Sequence, residues 1–153
     1  MKTLSIAILT IMVMATCNRD EENLTTQFPL RSPALLKLVK MSGGMLPSIK
    51  MGEEMSWQET YTFENQGSFV KSRTIKESGA TETLSGTYQL LTVDKQRLLL
   101  LIYKNDHALL ANCSIEPTEL LMIVSDSTVI NDRWVPCDGP ALEYQWFITT
   151  TTF

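Results

Sequence analysis

Hydrophobic residues are distributed in two different ways along this chain. Near its start, an apolar run covers residues 4–15, behind the single positive charge of Lys2, and the chain turns polar from Asn18. Such a run forms only ~18 Å of helix, which is short of the ~30 Å hydrocarbon core of a bilayer. Residues 1–16 are therefore predicted to be a cleaved secretory signal peptide and not a membrane span.

From residue 35 onward, apolar and polar positions alternate. Met55, Trp57, Tyr61 and Phe63 fall on one parity, with polar side chains on the other. Period two is the mark of a strand with one face in water. Polar turns separate this strand from others expected at residues 36–40, 69–76, 83–93, 97–104, 108–115, 119–125 and 142–148. A helix is an alternative only for residues 34–41.

About eight strands with short polar turns predict an all-β fold, an antiparallel up-and-down barrel, because closure removes exposed sheet edges. The barrel domain is expected to cover residues 34–153. Between it and the signal peptide, residues 17–33 are charged and contain Pro29 and Pro33. This segment has too little apolar surface to offset its ordering entropy, so it is predicted to be a flexible tether.

The signal peptide ends in a motif with a chemical meaning. Its residues, Met14-Ala15-Thr16-Cys17, resemble the lipobox of bacterial lipoproteins. The resemblance implies that Cys17 carries acyl chains such as palmitate and anchors the protein to a membrane of the cell envelope, on the periplasmic or surface face of the outer membrane. An ordinary secretory signal cut near Ala15, which would leave Cys17 as a free thiol, is the alternative.

The residues after Cys17 allow two interpretations. One basic residue followed by acidic ones resembles the surface-export signal of lipoproteins in Bacteroidetes-type bacteria. A merely solvated linker explains the same residues.

With Cys17 acylated, Cys113 and Cys137 remain, an even number in an oxidising compartment. A disulfide between them would close a loop of about 25 residues and stabilise the fold by ~3–4 kcal/mol. Two buried free thiols are the alternative. The single histidine, His107, follows Asn105-Asp106 and is interpreted as a turn residue. Without CxxC or His-rich spacing, the sequence predicts no metal site and no cofactor.

The net charge and the absence of catalytic motifs argue against two classes of function, nucleic-acid binding and catalysis. The chain has 17 acidic and 13 basic residues, a net charge of −4. This balance argues against a nucleic-acid partner, because phosphate binding depends on clusters of Lys and Arg. Ser114 and Ser127 have no histidine at a useful spacing, and no GxSxG motif occurs. The protein is not predicted to be an enzyme.

Several short motifs resemble the lipocalin-like domain of small Bacteroidetes-type lipoproteins, a calycin-like small β-barrel. They include Glu59-Thr60-Tyr61-Thr62-Phe63, Ser85-Gly86-Thr87-Tyr88 and Cys137-Asp138-Gly139-Pro140. The resemblance covers residues 35–147. It implies a barrel that binds a small apolar molecule or a partner protein, and it implies no reaction.

Aromatic residues on the expected inner face are the candidate ligand-lining residues: Trp57, Tyr61, Phe63, Tyr88, Tyr144 and Trp146. They could line a cup for a small apolar ligand, or they could fill a packed barrel that serves as a protein-interaction module, either an inhibitor or an accessory of envelope assembly. Glu59 shares their parity. Its carboxylate either lies at a rim of the barrel or faces inward, and if it faces inward it needs a partner such as Arg73 or Lys71.

Overall fold

The computed structural model describes residues 34–43 and 48–148. The predicted signal peptide, the tether and Cys17 lie outside the described residues. Within them, nine strands form one antiparallel sheet. The strands are β1 (Ala34–Ser42), β2 (Ile49–Met51), β3 (Trp57–Phe63), β4 (Ser68–Ile75), β5 (Thr81–Val93), β6 (Gln96–Tyr103), β7 (Thr118–Ile123), β8 (Thr128–Asn131) and β9 (Ala141–Ile148).

The sheet closes on itself through its first strand. β1 pairs with β3 on one side and with β9 on the other, so that Ala34 lies opposite both Phe63 and Ile148. Eight strands form the closed barrel, and the short β2 lies beside the last residues of β1. The predicted all-β antiparallel barrel is therefore confirmed, and the helical alternative for residues 34–41 is wrong.

One predicted strand is also wrong, although the number of barrel strands is right. Residues 108–115 belong to an irregular connection, residues 104–117, between β6 and β7. Leu109, Leu110 and Ala111 are buried in succession and not alternately, because they enter the barrel as a group. The eighth barrel strand is β8, whose four residues are too few to show a clear alternation.

Alternation elsewhere places the core as predicted. Tyr61 and Phe63 of β3 are fully buried, and Leu84, Tyr88 and Leu90 of β5 pack partly buried against the same core. On β5, Gly86 lies at an inward position, where an added Cβ would be 2.2 Å from the Ile102 carbonyl oxygen. Only a residue without a side chain fits there.

The two ends of the barrel differ. At the entry end, where β1 begins and β9 ends, short turns join β3 to β4, β5 to β6 and β7 to β8. The loop end carries the connection of residues 104–117 and that of residues 132–140. The Cys113–Cys137 disulfide joins these two connections, with 5.8 Å between the Cα atoms. The predicted pairing is confirmed.

Candidate functional site

A cluster of four charged side chains lies inside the barrel. Glu59 comes from β3, Lys71 and Arg73 from β4, and Glu119 from β7, and all four are buried. The inward parity of each strand places them there. Two carboxylates balance two cations, so the cluster has no net charge.

Ion pairs connect the cluster. Arg73 Nε donates to Glu59 Oε2 at 2.5 Å. Lys71 Nζ lies 2.8 Å from Glu119 Oε1 and 3.4 Å from Glu59 Oε1, so it joins the two carboxylates. The expectation that an inward Glu59 takes Arg73 or Lys71 as its partner is confirmed, and it takes both.

Three tyrosine hydroxyls converge on the same carboxylates. Tyr61 Oη lies 3.1 Å from Glu59 Oε1 and 2.9 Å from Glu119 Oε2. The Tyr144 hydroxyl donates to Glu59 Oε1 at 2.7 Å, and the Tyr103 hydroxyl donates to Glu119 Oε2. The carboxylates thus receive hydrogen bonds from neutral donors as well as from cations, as buried charges require.

The surroundings fix the protonation states. Burial alone would raise the pKa of the Glu59 carboxyl, but the positive charges of Lys71 and Arg73 hold this pKa below its ordinary value. Burial raises the pKa of Tyr61 and Tyr103, and the negative charge of Glu119 raises it further. Glu59 is therefore held ionised, and the two tyrosines keep their protons and act as donors.

Residues 109–111, which we call the plug, cover the cluster from the loop end. The Leu109 carbonyl oxygen accepts from Lys71 Nζ at 2.7 Å and from Arg73 Nη2 at 3.0 Å. The Ala111 N–H donates to Glu119 Oε1 at 2.5 Å. The plug is thus bound through its main chain by three of the four charged residues.

Contacts beyond the cluster also hold the plug. The Ala111 carbonyl oxygen accepts from Asn131 Nδ2 at 2.9 Å. Two residues further along the chain, Cys113 is tied to Cys137 of the other long connection. Both cysteines are exposed.

Five of the candidate ligand-lining residues lie near one another around Phe63 and Tyr61. Ring centroids are 5.0 Å apart for Phe63 and Tyr88, 5.4 Å for Phe63 and Trp146, and 5.5 Å for Tyr61 and Tyr144. Phe63, Tyr61 and Tyr144 are fully buried, whereas Tyr88 and Trp146 are partly exposed. These rings pack on each other across the interior.

Trp57, the sixth candidate, stands apart from them at the loop end. Its ring centroid is 6.1 Å from that of Trp134, and the guanidinium of Arg73 lies 4.8 Å from the Trp57 ring. Trp57 Nε1 is buried without a hydrogen-bond partner among the described residues. The Trp57 ring thus packs against the Arg73 guanidinium, while its indole N–H makes no hydrogen bond within the described residues.

Sequence reasoning missed Glu119, Tyr103 and the plug. The parity of β7 contained a signal, because Glu119 shares the parity of the buried Leu121 and Ile123. No comparable signal marks the plug, whose contacts with Lys71 and Arg73 join positions 38 and 36 residues apart.

The surface of the loop end carries exposed apolar side chains. Ile115 is 95% exposed and Val135 is 38% exposed, one on each of the disulfide-linked connections. A groove of about 560 Å³ beside the disulfide is lined by Leu120, Arg133 and Pro136, among others. Within the described ranges, no helix is long and apolar enough to cross a membrane.

Two further findings concern a possible metal site and the similarity of this chain to known proteins. Among residues 34–43 and 48–148, no group of three His, Cys, Asp or Glu side chains is arranged to hold a metal ion. Comparisons with protein-family models, with curated proteins and with solved structures find no match to this chain.

Proposed function

We propose that this protein is a lipid-anchored lipoprotein of the cell envelope whose lipocalin-like barrel works as a protein-interaction module. The packing of the interior carries the proposal. Tyr61, Phe63 and Tyr144 are fully buried, and the tyrosine hydroxyls are bonded to carboxylates of the barrel itself. A ligand site is a concave space lined by apolar side chains that a ligand can contact. In this barrel the candidate aromatic side chains contact each other instead. The arrangement favours the packed barrel over the ligand cup.

The lipobox-like motif at Cys17 supports the anchor, since stable anchoring takes more than one acyl chain and a lipoprotein cysteine carries several. The tether would reach the barrel at Ala34, which begins β1 at the entry end. The loop end would then face away from the bilayer. Its exposed Ile115 and Val135 stand on connections that the disulfide restrains, and restraint lowers the entropy lost on binding a partner.

Metabolic labelling tests the anchor. Labelled palmitate is expected to enter the wild-type protein and to be absent from Cys17→Ala, which should accumulate as an uncleaved or soluble form. Cys137→Ala is the control, because it also removes one cysteine, the one paired with Cys113, but should keep the label. Equal labelling of the wild type and Cys17→Ala would refute the lipoprotein assignment.

Site-specific photo-crosslinking in cells tests the interaction module. A photoreactive residue at Ile115 or Val135 is expected to give a protein adduct of one discrete mass. The control position is Lys95, which is exposed in the turn between β5 and β6 at the entry end. Adducts from Lys95 alone, or none from the loop end, would contradict the proposal.

A further inference from the structure

The plug is held in the way that a bound peptide is held. Three of its main-chain groups have partners on the barrel: the Leu109 carbonyl, the Ala111 N–H and the Ala111 carbonyl. Its three side chains are buried at the same time. The plug begins in a turn, in which the Leu110 N–H donates to the His107 carbonyl oxygen at 3.0 Å. Peptide recognition commonly combines main-chain hydrogen bonds, which give affinity, with side-chain pockets, which give specificity.

We propose that the loop end of the barrel is a peptide-binding site that the plug occupies in cis, and that an apolar peptide segment of a partner protein takes the site when the plug leaves. This inference rests on the proposed interaction module and names the chemistry of its partner. The ligand is a neutral stretch with leucine-like side chains followed by a small residue that has a free N–H.

Charge explains why the ligand is a peptide carbonyl and not an anion. Lys71 and Arg73 both donate to the Leu109 carbonyl, but each is also paired with a buried carboxylate. The cluster is neutral overall, so a carboxylate brought among these residues would leave an uncompensated buried negative charge. A neutral carbonyl satisfies the same donors without that cost.

A further donor is present beside the plug. The buried indole N–H of Trp57 has no partner among the described residues, and its ring contacts the Arg73 guanidinium. A partner peptide that follows a slightly different path from the plug can offer this N–H a carbonyl oxygen. A buried donor without a partner is costly, so satisfying it would favour the peptide over the plug.

The plug can leave without breaking the barrel. The stretch before it, residues 104–108, and the stretch after it, residues 113–116, are exposed and contain no strand. No strand pairing of the barrel involves residues 109–111. Short segments with such surroundings open at a lower free energy than the sheet itself. Tethering makes the plug a competitor at millimolar effective concentration, which masks the site in the wild type.

The experiment uses the end-blocked hexapeptide His-Ala-Leu-Leu-Ala-Asn, which copies residues 107–112, and measures its binding by calorimetry and by tryptophan fluorescence. The fluorescence reports on Trp57 and Trp134 near Arg73. In the full chain, Ala111→Pro weakens the plug by removing the N–H that donates to Glu119. We expect the peptide to bind Ala111→Pro at least about tenfold more tightly than the wild type, since a hydrogen bond to a charged group is lost only by the plug.

Two controls complete the design. A peptide with proline at the position of Ala111 lacks the same N–H and should bind neither protein. Leu109→Ala serves as the second opened variant if Ala111→Pro does not fold, as judged by near-ultraviolet circular dichroism. A folded, opened variant that binds the copied peptide no better than the proline peptide overturns the proposal. Crosslinks from Ile115 or Val135 would then still stand, so the two proposals can fail separately.

Discussion

At the scale of single residues, the interior of this barrel combines two kinds of packing. Around Phe63 the contacts are between aromatic rings, and around Lys71 they are between charges and hydroxyl groups. The first kind gains stability from buried apolar area, at about 25 cal/mol per Å². The second gains little unless every charged group has a partner. Substitutions at Phe63 and at Lys71 should therefore destabilise the fold for different reasons.

Phe63→Ala is expected to lower the free energy of unfolding by ~3–5 kcal/mol, because the ring fills the interior and leaves a cavity when removed. Phe147→Ala is the control, since Phe147 is 46% exposed and lies on β9, the strand that contributes Trp146; it should change stability by less than ~1 kcal/mol. Urea unfolding measures both. A small loss for Phe63→Ala, with an apolar molecule found by native mass spectrometry of detergent-free protein, would favour the ligand cup.

Lys71→Met is expected to cost ~3–5 kcal/mol, because it leaves the buried Glu119 without its ion-pair partner. Lys40→Met removes one side of the Lys40–Glu143 pair, whose side chains are partly exposed, and should cost no more than ~1 kcal/mol. Equal losses in urea unfolding would contradict a stabilising ion pair between Lys71 and Glu119 inside the barrel.

Alternation within one strand made part of the cluster predictable. Glu59 shares the parity of Tyr61 and Phe63, and that parity predicted a carboxylate either inside the barrel, where it needs a cationic partner, or at a rim. Glu119 and Tyr103 were not predicted, because their place in the cluster depends on which strands face each other across the barrel. The sequence contains the parity of each strand but not the distances between strands that do not follow each other.

At the scale of elements, the structure differs most from the sequence-based prediction in the connection between β6 and β7. The sequence predicts a strand that includes the apolar residues Leu109 and Leu110, yet both of these consecutive side chains are buried. Main-chain bonds to Lys71, Arg73 and Glu119 replace the pairing that a strand would have had. Satisfying the main chain through side chains permits a buried segment without regular structure.

The disulfide gives a prediction for this element. Cys113→Ser combined with Cys137→Ser is expected to lower the free energy of unfolding by ~3–4 kcal/mol, since the bond closes a loop with a sequence separation of 24. The melting temperature should fall accordingly. The single variant Ser114→Ala, beside Cys113, is the control and should be near neutral. Native, unreduced protein in which Cys113 and Cys137 react with maleimide would contradict the pairing.

At the scale of the whole molecule, the closed barrel followed from the number of strands and their short turns, and the structure agrees. The strand count agreed because the unexpected β8 offsets the missing strand at residues 108–115. Closure depends on the total length of alternating sequence more than on any one segment, which explains why it was predictable. The anchor at Cys17 remains a prediction of the signal-peptide motif.

The buried tyrosines predict that the free energy of unfolding decreases at alkaline pH. Burial raises the pKa of Tyr61, Tyr103 and Tyr144 above the value of 10.0. Above pH ~10 the unfolded chain releases protons that the folded chain keeps, so stability is full below this pH and falls as the pH rises. The slope should approach ~1.4 kcal/mol per pH unit for each tyrosine. Burial also raises the pKa of the partly exposed Tyr88, which adds to the slope. Tyr103→Phe should therefore reduce the slope by about a quarter to a third in urea unfolding between pH 9 and 11.

The pKa of Glu59 predicts how the stability of the fold changes in acid, in the direction opposite to the effect of the tyrosines. The lowered pKa of Glu59 means that its contribution to stability is full above the unfolded value of ~4.3 and is lost as the pH falls below it. Urea unfolding between pH 6 and 2.5 measures this loss. Glu59→Gln should flatten the acid limb, whereas Glu82→Gln, exposed on β5, should leave it unchanged. An acid limb that is identical in the wild type and Glu59→Gln would contradict the ionised state.

The pairing of β1 with β9 has a consequence for the time course of folding. The two strands that complete the barrel are the earliest and the latest in the described chain, with Ala34 opposite Ile148. Contacts of such long separation slow folding to milliseconds or seconds, and they cannot form before residue 148 has left the ribosome. A nascent chain therefore lacks the β1–β9 pairing until residue 148 has emerged.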